Sequence, residues 1–325
     1  MKSFEYAAPK TLKEAVALLS DTWGKTEILA GGTDLVTSLK QRITQPNRVV
    51  SLRNIKEIGG IKSKRGGVAI GATATLAELI DDKDIRKNFP SLVTAAEGIG
   101  SPQILSAGTV GGDLCQRPRC WYYRNGYGLF GKQGDASLVR DGENRYHAIF
   151  GNDGPALFVS PSSLAPALVA LGAEITVTGP GGKERMIPAA DFFRTPKTEN
   201  ERETALKPNE ILTEILVPVK GLRNATYEVR HRHGFDWPYV TASVAFAMKG
   251  AAASDASVVL GHVAPVPWKA VSASGALNSS AVSETAAARC GDAAAQGAKP
   301  LSGNAYKVQM VKVAVKRAVL AAMAA

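Results

Sequence analysis

Residues 29–35 read Leu29-Ala30-Gly31-Gly32-Thr33-Asp34-Leu35, a diglycine set directly behind the apolar and β-branched segment Thr26–Leu29. Consecutive glycines let the backbone reach positive φ and leave amide N–H groups as a concave nest, so that an anion approaches without a Cβ in its way. Thr33 adds a hydroxyl donor. The segment entering this turn reads as a short buried strand, and Arg48 to Leu52 (RVVSL) reads as a second. Thr11-Leu12-Lys13-Glu14 has capping-box spacing, which predicts a helix over 12–20 with Val16 and Leu19 on one face. A further helix is expected over 34–42. Residues 1–57 therefore read as a small βαβ-like α/β unit.

A second diglycine follows in Ala107-Gly108-Thr109-Val110-Gly111-Gly112-Asp113. One diglycine is the ordinary mark of a tight turn. Its recurrence with the same Thr and Asp flanks favours two anion-binding loops, a pairing that suits a diphosphate gripped from both sides. No G-x-G-x-x-G opens a helix in a βαβ unit, which disfavours a Rossmann dinucleotide site. Around the second loop, strands are expected at Gly67 to Ile70, Ala156 to Ser160, Glu174 to Thr178 and Ile211 to Val217. Thr75-Leu76-Ala77-Glu78 is another capping box, and Leu92 to Glu97 and Leu164 to Leu171 read as helices. Residues 98–155 are Gly-rich, aromatic and basic with little periodicity, and so long a loop in a compact domain is usually functional.

Residues 58–220 are thus a second α/β unit, and 221–325 a third domain of α+β type. In the last, Thr226 to Arg232, Val240 to Met248 and Ala256 to Val263 predict a three-stranded antiparallel meander. Helices follow at Glu284 to Gln296 and Asn304 to Met323. In the latter, Val308, Val311, Val315 and Val319 fall at helical spacing with Lys307, Lys312 and Lys316 between them.

The whole chain has 325 residues, 45% apolar and 21% charged, a globular composition long enough for two or three domains. The charge of +10 favours an anionic partner without choosing among nucleic acid, phosphate ligand and acidic protein. Three cysteines, Cys115, Cys120 and Cys290, do not make a disulfide framework, so a reducing compartment is the default. No export signal or apolar span is legible, and the cytoplasm is expected, with export beside a signal-bearing partner left open.

Arg117, Arg119 and Arg124 with Trp121, Tyr122 and Tyr123 mimic a base-stacking platform. Their place beside the second glycine loop favours instead a solvated or subunit-facing surface, and nucleic acid is not expected. Gly126 to Lys132 fits the Walker A glycines and Lys, but Gln133 stands where Ser or Thr must reach Mg²⁺, so the match is taken as chance. His231 and His233 alternate onto one strand face without a third ligand in view, and no metal site is expected.

The A-G-G-T-D and T-V-G-G-D loops, Gly71-Ala72-Thr73-Ala74-Thr75-Leu76 and Asn304-Ala305-Tyr306-Lys307 resemble the FAD-binding medium subunit of molybdenum hydroxylases, the xanthine dehydrogenase, aldehyde oxidoreductase and carbon monoxide dehydrogenase flavoproteins. The likeness runs over essentially the whole chain. It implies two α/β subdomains of the PCMH-type FAD-binding fold clasping the FAD diphosphate, completed by a C-terminal domain of the carbon monoxide dehydrogenase flavoprotein kind. Leu29, Ala30, Gly31, Gly32, Thr33, Asp34 and Leu35 would be the first phosphate loop, and Thr109, Gly111, Gly112 and Asp113 the second. No catalytic acid or base is implied, because the isoalloxazine performs the redox step and the protein positions and tunes it.

The resemblance further implies a large molybdopterin subunit and a small subunit with 2Fe-2S clusters as partners, and NAD or oxygen as electron acceptor. The sequence departs from the family where Ser163 replaces an Asp and where Glu228 stands in place of a Lys. Cys115 to Tyr123 is similar to an insertion that ligates a 4Fe-4S cluster with four cysteines in some relatives. Only Cys115 and Cys120 lie here, and a four-thiolate cluster needs four ligands, so none is expected. The alternative to a subunit is a self-contained FAD oxidase or dehydrogenase on the same fold.

Overall fold

The structure is a computed structural model that describes residues 1–232, 236–278 and 281–324. Its first unit is a three-stranded parallel sheet in the order Glu5–Ala7, Arg48–Ser51, Thr26–Leu29. The Thr11 hydroxyl accepts from the Glu14 amide while Glu14 reaches back, and this capping box starts the helix Leu12–Ala17, shorter than expected. Its Ala15 and Val16 pack on Val50, Leu52, Ile55 and Ile58. A second helix, Leu35–Lys40, begins directly behind the first diglycine.

The second sheet has five antiparallel strands in the order Ile61–Lys64, Gly67–Gly71, Ile211–Pro218, Glu174–Thr178, Glu184–Pro188. Ile70, Ile215 and Ile175 stand side by side across three strands, each fully buried. Helices Leu76–Asp81, Pro90–Glu97 and Leu164–Leu171 complete this core. Every residue of Leu164–Leu171 is buried, because its far side packs on Ala245 and Val259 of the third sheet.

The expected strand at Ala156 to Ser160 does not form. The segment is irregular and buried, bracketed by Pro155 and Pro161, which supply no N–H to a ladder. Its carbonyl at Leu157 accepts from Ala148 N–H at 2.8 Å, and Ser160 N–H donates to Ala264 at 2.8 Å. An apolar run signals burial more surely than it signals strand.

The third sheet is antiparallel with four strands, Arg223–Val229, Val240–Lys249, Ala252–Gly261 and the two-residue Trp268–Lys269, one more than the meander expected. Two residues carry no readable alternation, so the fourth strand was invisible to pattern. Helices Val271–Leu277, Glu284–Ala294 and Tyr306–Ala324 cover this sheet. In the last, Val311, Val315 and Val319 are fully buried, while Lys312 and Lys316 pair with Asp292 (3.0 Å) and Glu284 (2.7 Å). Lys307 breaks the pattern, being buried with its ammonium donating to the carbonyls of Tyr146, His147 and His262. No helix among the described residues is long and apolar enough to cross a membrane.

Candidate functional site

The two glycine loops come together between the first and second units. Gly31 lies so close to Ala107 and Gly108 that a Cβ on it would overlap the Ala107 carbonyl oxygen. Gly32 has φ +78°, in the left-handed region that glycine occupies without strain. Its carbonyl accepts from Val36 N–H at 3.1 Å and so opens the helix Leu35–Lys40. Among the described residues, none of the N–H groups of Gly31, Gly32, Thr33 and Asp34 donates to a protein acceptor. Four consecutive amides without a protein partner are a donor set for an external anion.

Ala30, Gly31, Gly32, Thr33, Asp34 and Leu35 form one wall of a cleft of about 200 Å³, and Thr109, Gly111 and Gly112 line it too. Leu29 anchors the loop from the sheet, its carbonyl accepting from Leu52 at 2.9 Å. The second loop spends its amides internally. Val110 donates to Ala74 and Gly111 to Ala72, each at 2.9 Å, Gly112 donates to the Thr109 hydroxyl at 3.1 Å, and Asp113 to the Thr109 carbonyl at 2.9 Å. Its glycines serve close approach instead: a Cβ on Gly111 would stand 2.9 Å from the Ala72 oxygen. The two diglycines therefore do different physical work despite their shared composition.

The two loop carboxylates are engaged within the protein. Asp34 accepts from Arg117 N–H (2.9 Å) and pairs with Arg124 (2.9 Å) and Arg119 (3.1 Å). Asp113 is buried and accepts from the Ser162 hydroxyl and from Leu164 N–H at 3.2 Å, which ties the second loop to the start of the helix Leu164–Leu171. Burial pushes the Asp113 carboxyl up to about 6.

The arginines of the 117–124 stretch do not form the solvated or subunit-facing surface expected of them. Their side chains are only 23%, 27% and 11% exposed and turn inward to Asp34 and Glu203. The half-buried Asp34 carboxylate holds Arg119 and Arg124, and Glu203 holds Arg117, because a largely desolvated carboxylate needs cationic partners. Arg117 also stacks on Tyr123 and Arg202 on Trp23 in the walls of the same cleft, and Arg124 lies over Tyr123 as well.

A neighbouring cleft of about 250 Å³ shares Thr33, Asp34, Thr109 and Gly112 and continues to Ser163, ahead of the helix Leu164–Leu171, and to Arg230 and Trp237 of the third domain. Here the two family departures meet. Glu228, 7% exposed, pairs with Arg230, whose guanidinium also donates to the Gly98 carbonyl. Burial raises the Glu228 carboxyl to about 7, with Arg230, Thr241 and Ser163 opposing the rise. Arg230 is a cleft cation with a buried Nε lacking a protein partner. Sequence reasoning missed it, along with Trp237, because nothing in the spacing of the 228–238 segment points across to loops more than a hundred residues earlier.

His231 is exposed and lies 3.7 Å from Asp236, while His233 lies outside the described residues. Among the described residues no group of three or more His, Cys, Asp and Glu is placed to hold a metal ion. Cys115 and Cys120 are free thiols. Burial pushes Cys115 up to about 12, and Cys120 Sγ sits 3.2 Å from His147 Nε2.

His147 and His262 are held neutral, pushed down by burial and by the Lys307 charge to about 4 and about 3. Between pH 6.5 and 4 the unfolded chain binds a proton at position 147 that the native chain refuses, so native stability falls as pH drops through that window. Asp113 and Glu228 act with opposite sign, their raised values stabilising the native state at low pH and losing that contribution as pH rises through about 6 and 7. His147→Asn is expected to remove a destabilising slope of up to about 1.4 kcal/mol per pH unit below pH 6.5, read as the difference between urea-unfolding free energies of variant and wild type from pH 7 to 4. A difference that does not change with pH would refute the neutral assignment.

A run of open amides on the wall of a cleft between the first and second sheets, with a neighbouring cleft that reaches the third, defines an anion-binding site suited to a phosphate-bearing ligand. Comparison gives the class its content. Residues 2–220 match the model for the FAD binding domain in molybdopterin dehydrogenase, and 225–322 that for the CO dehydrogenase flavoprotein C-terminal domain. The carbon monoxide dehydrogenase medium chain of Hydrogenophaga pseudoflava is 31% identical over 326 residues, covering 99% of this chain and 97% of the relative. The aldehyde oxidoreductase FAD-binding subunit PaoB of Escherichia coli K12 is 29% identical, with 96% of each covered. A solved carbon monoxide dehydrogenase structure from H. pseudoflava, one lacking the Mo-pyranopterin moiety of its cofactor, superposes with a TM-score of 0.77 at 30% identity, covering 99% of this chain and 97% of the other. The chain belongs to the family of FAD-binding subunits of molybdenum hydroxylases; it is an oxidoreductase subunit and FAD is its cofactor.

Proposed function

We propose that this chain is the electron-exit subunit of a three-subunit molybdenum hydroxylase. A small partner with 2Fe-2S clusters delivers electrons, a large molybdopterin partner hydroxylates the substrate, and the electrons leave this chain for NAD or oxygen. The relatives named carbon monoxide dehydrogenase medium chain and aldehyde oxidoreductase FAD-binding subunit support the reading. The observation that carries it is the open donor set of Gly31, Gly32, Thr33 and Asp34 facing a cleft.

The residues present fit FAD. The four amides of the first loop would hold diphosphate oxygens, and the second loop would form the opposite wall through Thr109, Gly111 and Gly112, the two segments approaching this closely because Gly31 presents no Cβ to the Ala107 carbonyl. Bound FAD supplies chemistry that no side chain here offers, accepting electrons singly and releasing them in pairs. The protein's own part would be to line the neighbouring cleft with Arg119 and Arg230, and to fix the first loop to the 117–124 stretch through Asp34 and the second loop to the helix Leu164–Leu171 through Asp113.

Purification of the chain from its native host should yield a yellow complex with a flavin spectrum, iron–sulfur absorbance and a molybdopterin-bearing large chain. A chain that travels alone and oxidises a substrate unaided would instead be the self-contained flavin enzyme. Anaerobic reduction followed by rapid mixing with NAD⁺ or with oxygen identifies the acceptor, as the one that restores the oxidised spectrum within turnover time.

A further inference from the structure

The cleft of about 200 Å³ between the first and second units holds one charged group that the protein leaves half-used. Glu203 lies on its wall, 9% exposed. Its Oε2 pairs with Arg117 Nε at 3.1 Å, and its backbone carbonyl accepts from Arg194 N–H at 2.9 Å. Oε1 is buried and has no protein partner. The other carboxylates of the same wall are engaged: Asp34 by Arg119 and Arg124, Glu210 by Arg185 at 2.6 Å, and Glu27 by the Thr44 hydroxyl at 3.0 Å. Among the described residues, Glu203 is the one carboxylate of this cleft with a buried oxygen left over.

An acceptor on a charged group that is buried without a donor is destabilising, so its presence on a cleft wall marks a place where a ligand supplies the donor. The diphosphate cannot do so, since it brings no N–H and its charge repels a carboxylate. The surroundings point to a flat ring. Arg117, which holds Oε2, lies over Tyr123 at 5.3 Å, and Arg202, the residue before Glu203, lies over Trp23 at 4.9 Å; both rings line the cleft. Aromatic walls attract the faces and edges of a planar heterocycle. The last torsion of a glutamate is soft, so a small turn presents Oε1 to a guest in the cleft.

We infer that Glu203 recognises a heterocyclic end of the cofactor, its Oε1 accepting an N–H from a ring system of bound FAD. FAD carries such N–H groups in two places, the imide of the isoalloxazine and the amine of the adenine. The inference rests on FAD lying between the glycine loops. It adds to their contacts a carboxylate that reads a ring, where the loop amides read only phosphate oxygens. Glu203 is then a specificity residue, because a site built to hydrogen-bond a ring N–H rejects an analogue that lacks it.

Glu203→Gln in the purified complex is the test. The Gln carbonyl takes over from Oε2 as acceptor for Arg117, which leaves the amide N–H₂ where Oε1 stood. Two donors then face each other. The FAD dissociation constant, read from flavin fluorescence released on dilution, should rise between about tenfold and a hundredfold, the worth of a hydrogen bond to a charged acceptor, with circular dichroism and subunit composition unchanged. A role confined to holding Arg117 predicts wild-type affinity, as does a sugar hydroxyl as the donor, because a hydroxyl can turn and accept. Unchanged affinity therefore overturns the inference. The spectroelectrochemical potential of the flavin tells the two donors apart: loss of the negative charge beside the imide raises it, while a contact to adenine leaves it as in wild type. Should Glu203→Gln not fold, Glu203→Asp keeps the charge for Arg117 and withdraws the second oxygen, with the same weakening expected and the same unchanged affinity counting against it. Stoichiometric FAD in Gly31→Ala would remove the cofactor from between the loops and take this inference with it, whereas wild-type affinity in Glu203→Gln beside FAD loss in Gly31→Ala overturns the Glu203 contact alone.

Discussion

Gly31→Ala is expected to abolish FAD retention, the largest loss that a single methyl group can cause in this chain. The added Cβ would overlap the carbonyl oxygen of Ala107, a backbone atom at the end of the helix Pro102–Ala107 that has no flexible side chain to swing aside. The loops must separate or the first loop must flatten, and either movement disperses the four amides that face the cleft. Overpacking of a close backbone approach costs about 1–3 kcal/mol in stability, occasionally more. Each amide pulled out of reach of a charged oxygen removes a bond of about 1.5–3 kcal/mol. Loss of two such bonds already lowers affinity by more than about a hundredfold. The measurement is flavin absorbance per chain after gel filtration, with Gly154→Ala as control, since a Cβ at Gly154 meets nothing. Stoichiometric FAD in Gly31→Ala would remove the first loop from the cofactor site.

The same glycine shows what the sequence could and could not reveal. That residues 29–35 form a turn behind a strand was legible, because diglycine chemistry is local. That Gly31 and Gly32 are required for different reasons, one by contact with Ala107 and the other by a positive φ, needed the tertiary partner. The second loop's amides looked equally free in the sequence. They are consumed by Ala72 and Ala74, residues of the segment after the strand Gly67–Gly71 whose pairing no local pattern encodes.

Lys307 teaches the same lesson from the other side. Helical spacing put it on the polar face with Lys312 and Lys316, yet three carbonyls from the irregular 146–147 segment and from His262 converge on it. The expected strand at Ala156 to Ser160 failed for a related reason, since burial was read correctly and hydrogen-bond geometry was not. The cleft beyond the loops stayed hidden because Ser163, Arg230 and Trp237 meet only once the third domain has packed.

Asp34→Ala is expected to unfold the junction between the loops more than it alters any direct contact with FAD. In composition this carboxylate looks like part of the phosphate loop, but a carboxylate facing a diphosphate would repel it. The structure resolves the conflict by surrounding Asp34 with the Arg117 amide and the Arg119 and Arg124 guanidiniums. Arg124, 11% exposed, also donates to the Ser38 hydroxyl and to the carbonyls of Pro118 and Arg117, so it cannot swing to water without losing those bonds. Removing one partner of a fully buried ion pair costs about 3–5 kcal/mol, and for the half-buried Asp34 that range is an upper bound, because the remaining arginines stay partly desolvated without their counter-charge. The expected result is a drop in urea-unfolding free energy of up to that size.

Asp34→Asn separates charge from shape. It keeps an acceptor for the Arg117 amide and one arginine bond but loses the charge, so it should fall between wild type and alanine. FAD affinity should follow stability across the series rather than rise. If Asp34→Ala instead binds FAD more tightly at unchanged stability, the carboxylate is a repulsive element of the cofactor site and the arginines belong to the diphosphate. The two outcomes assign the same two guanidiniums, Arg119 and Arg124, to different owners, a structural carboxylate in one case and the cofactor in the other, and a single titration of the alanine variant with FAD distinguishes them.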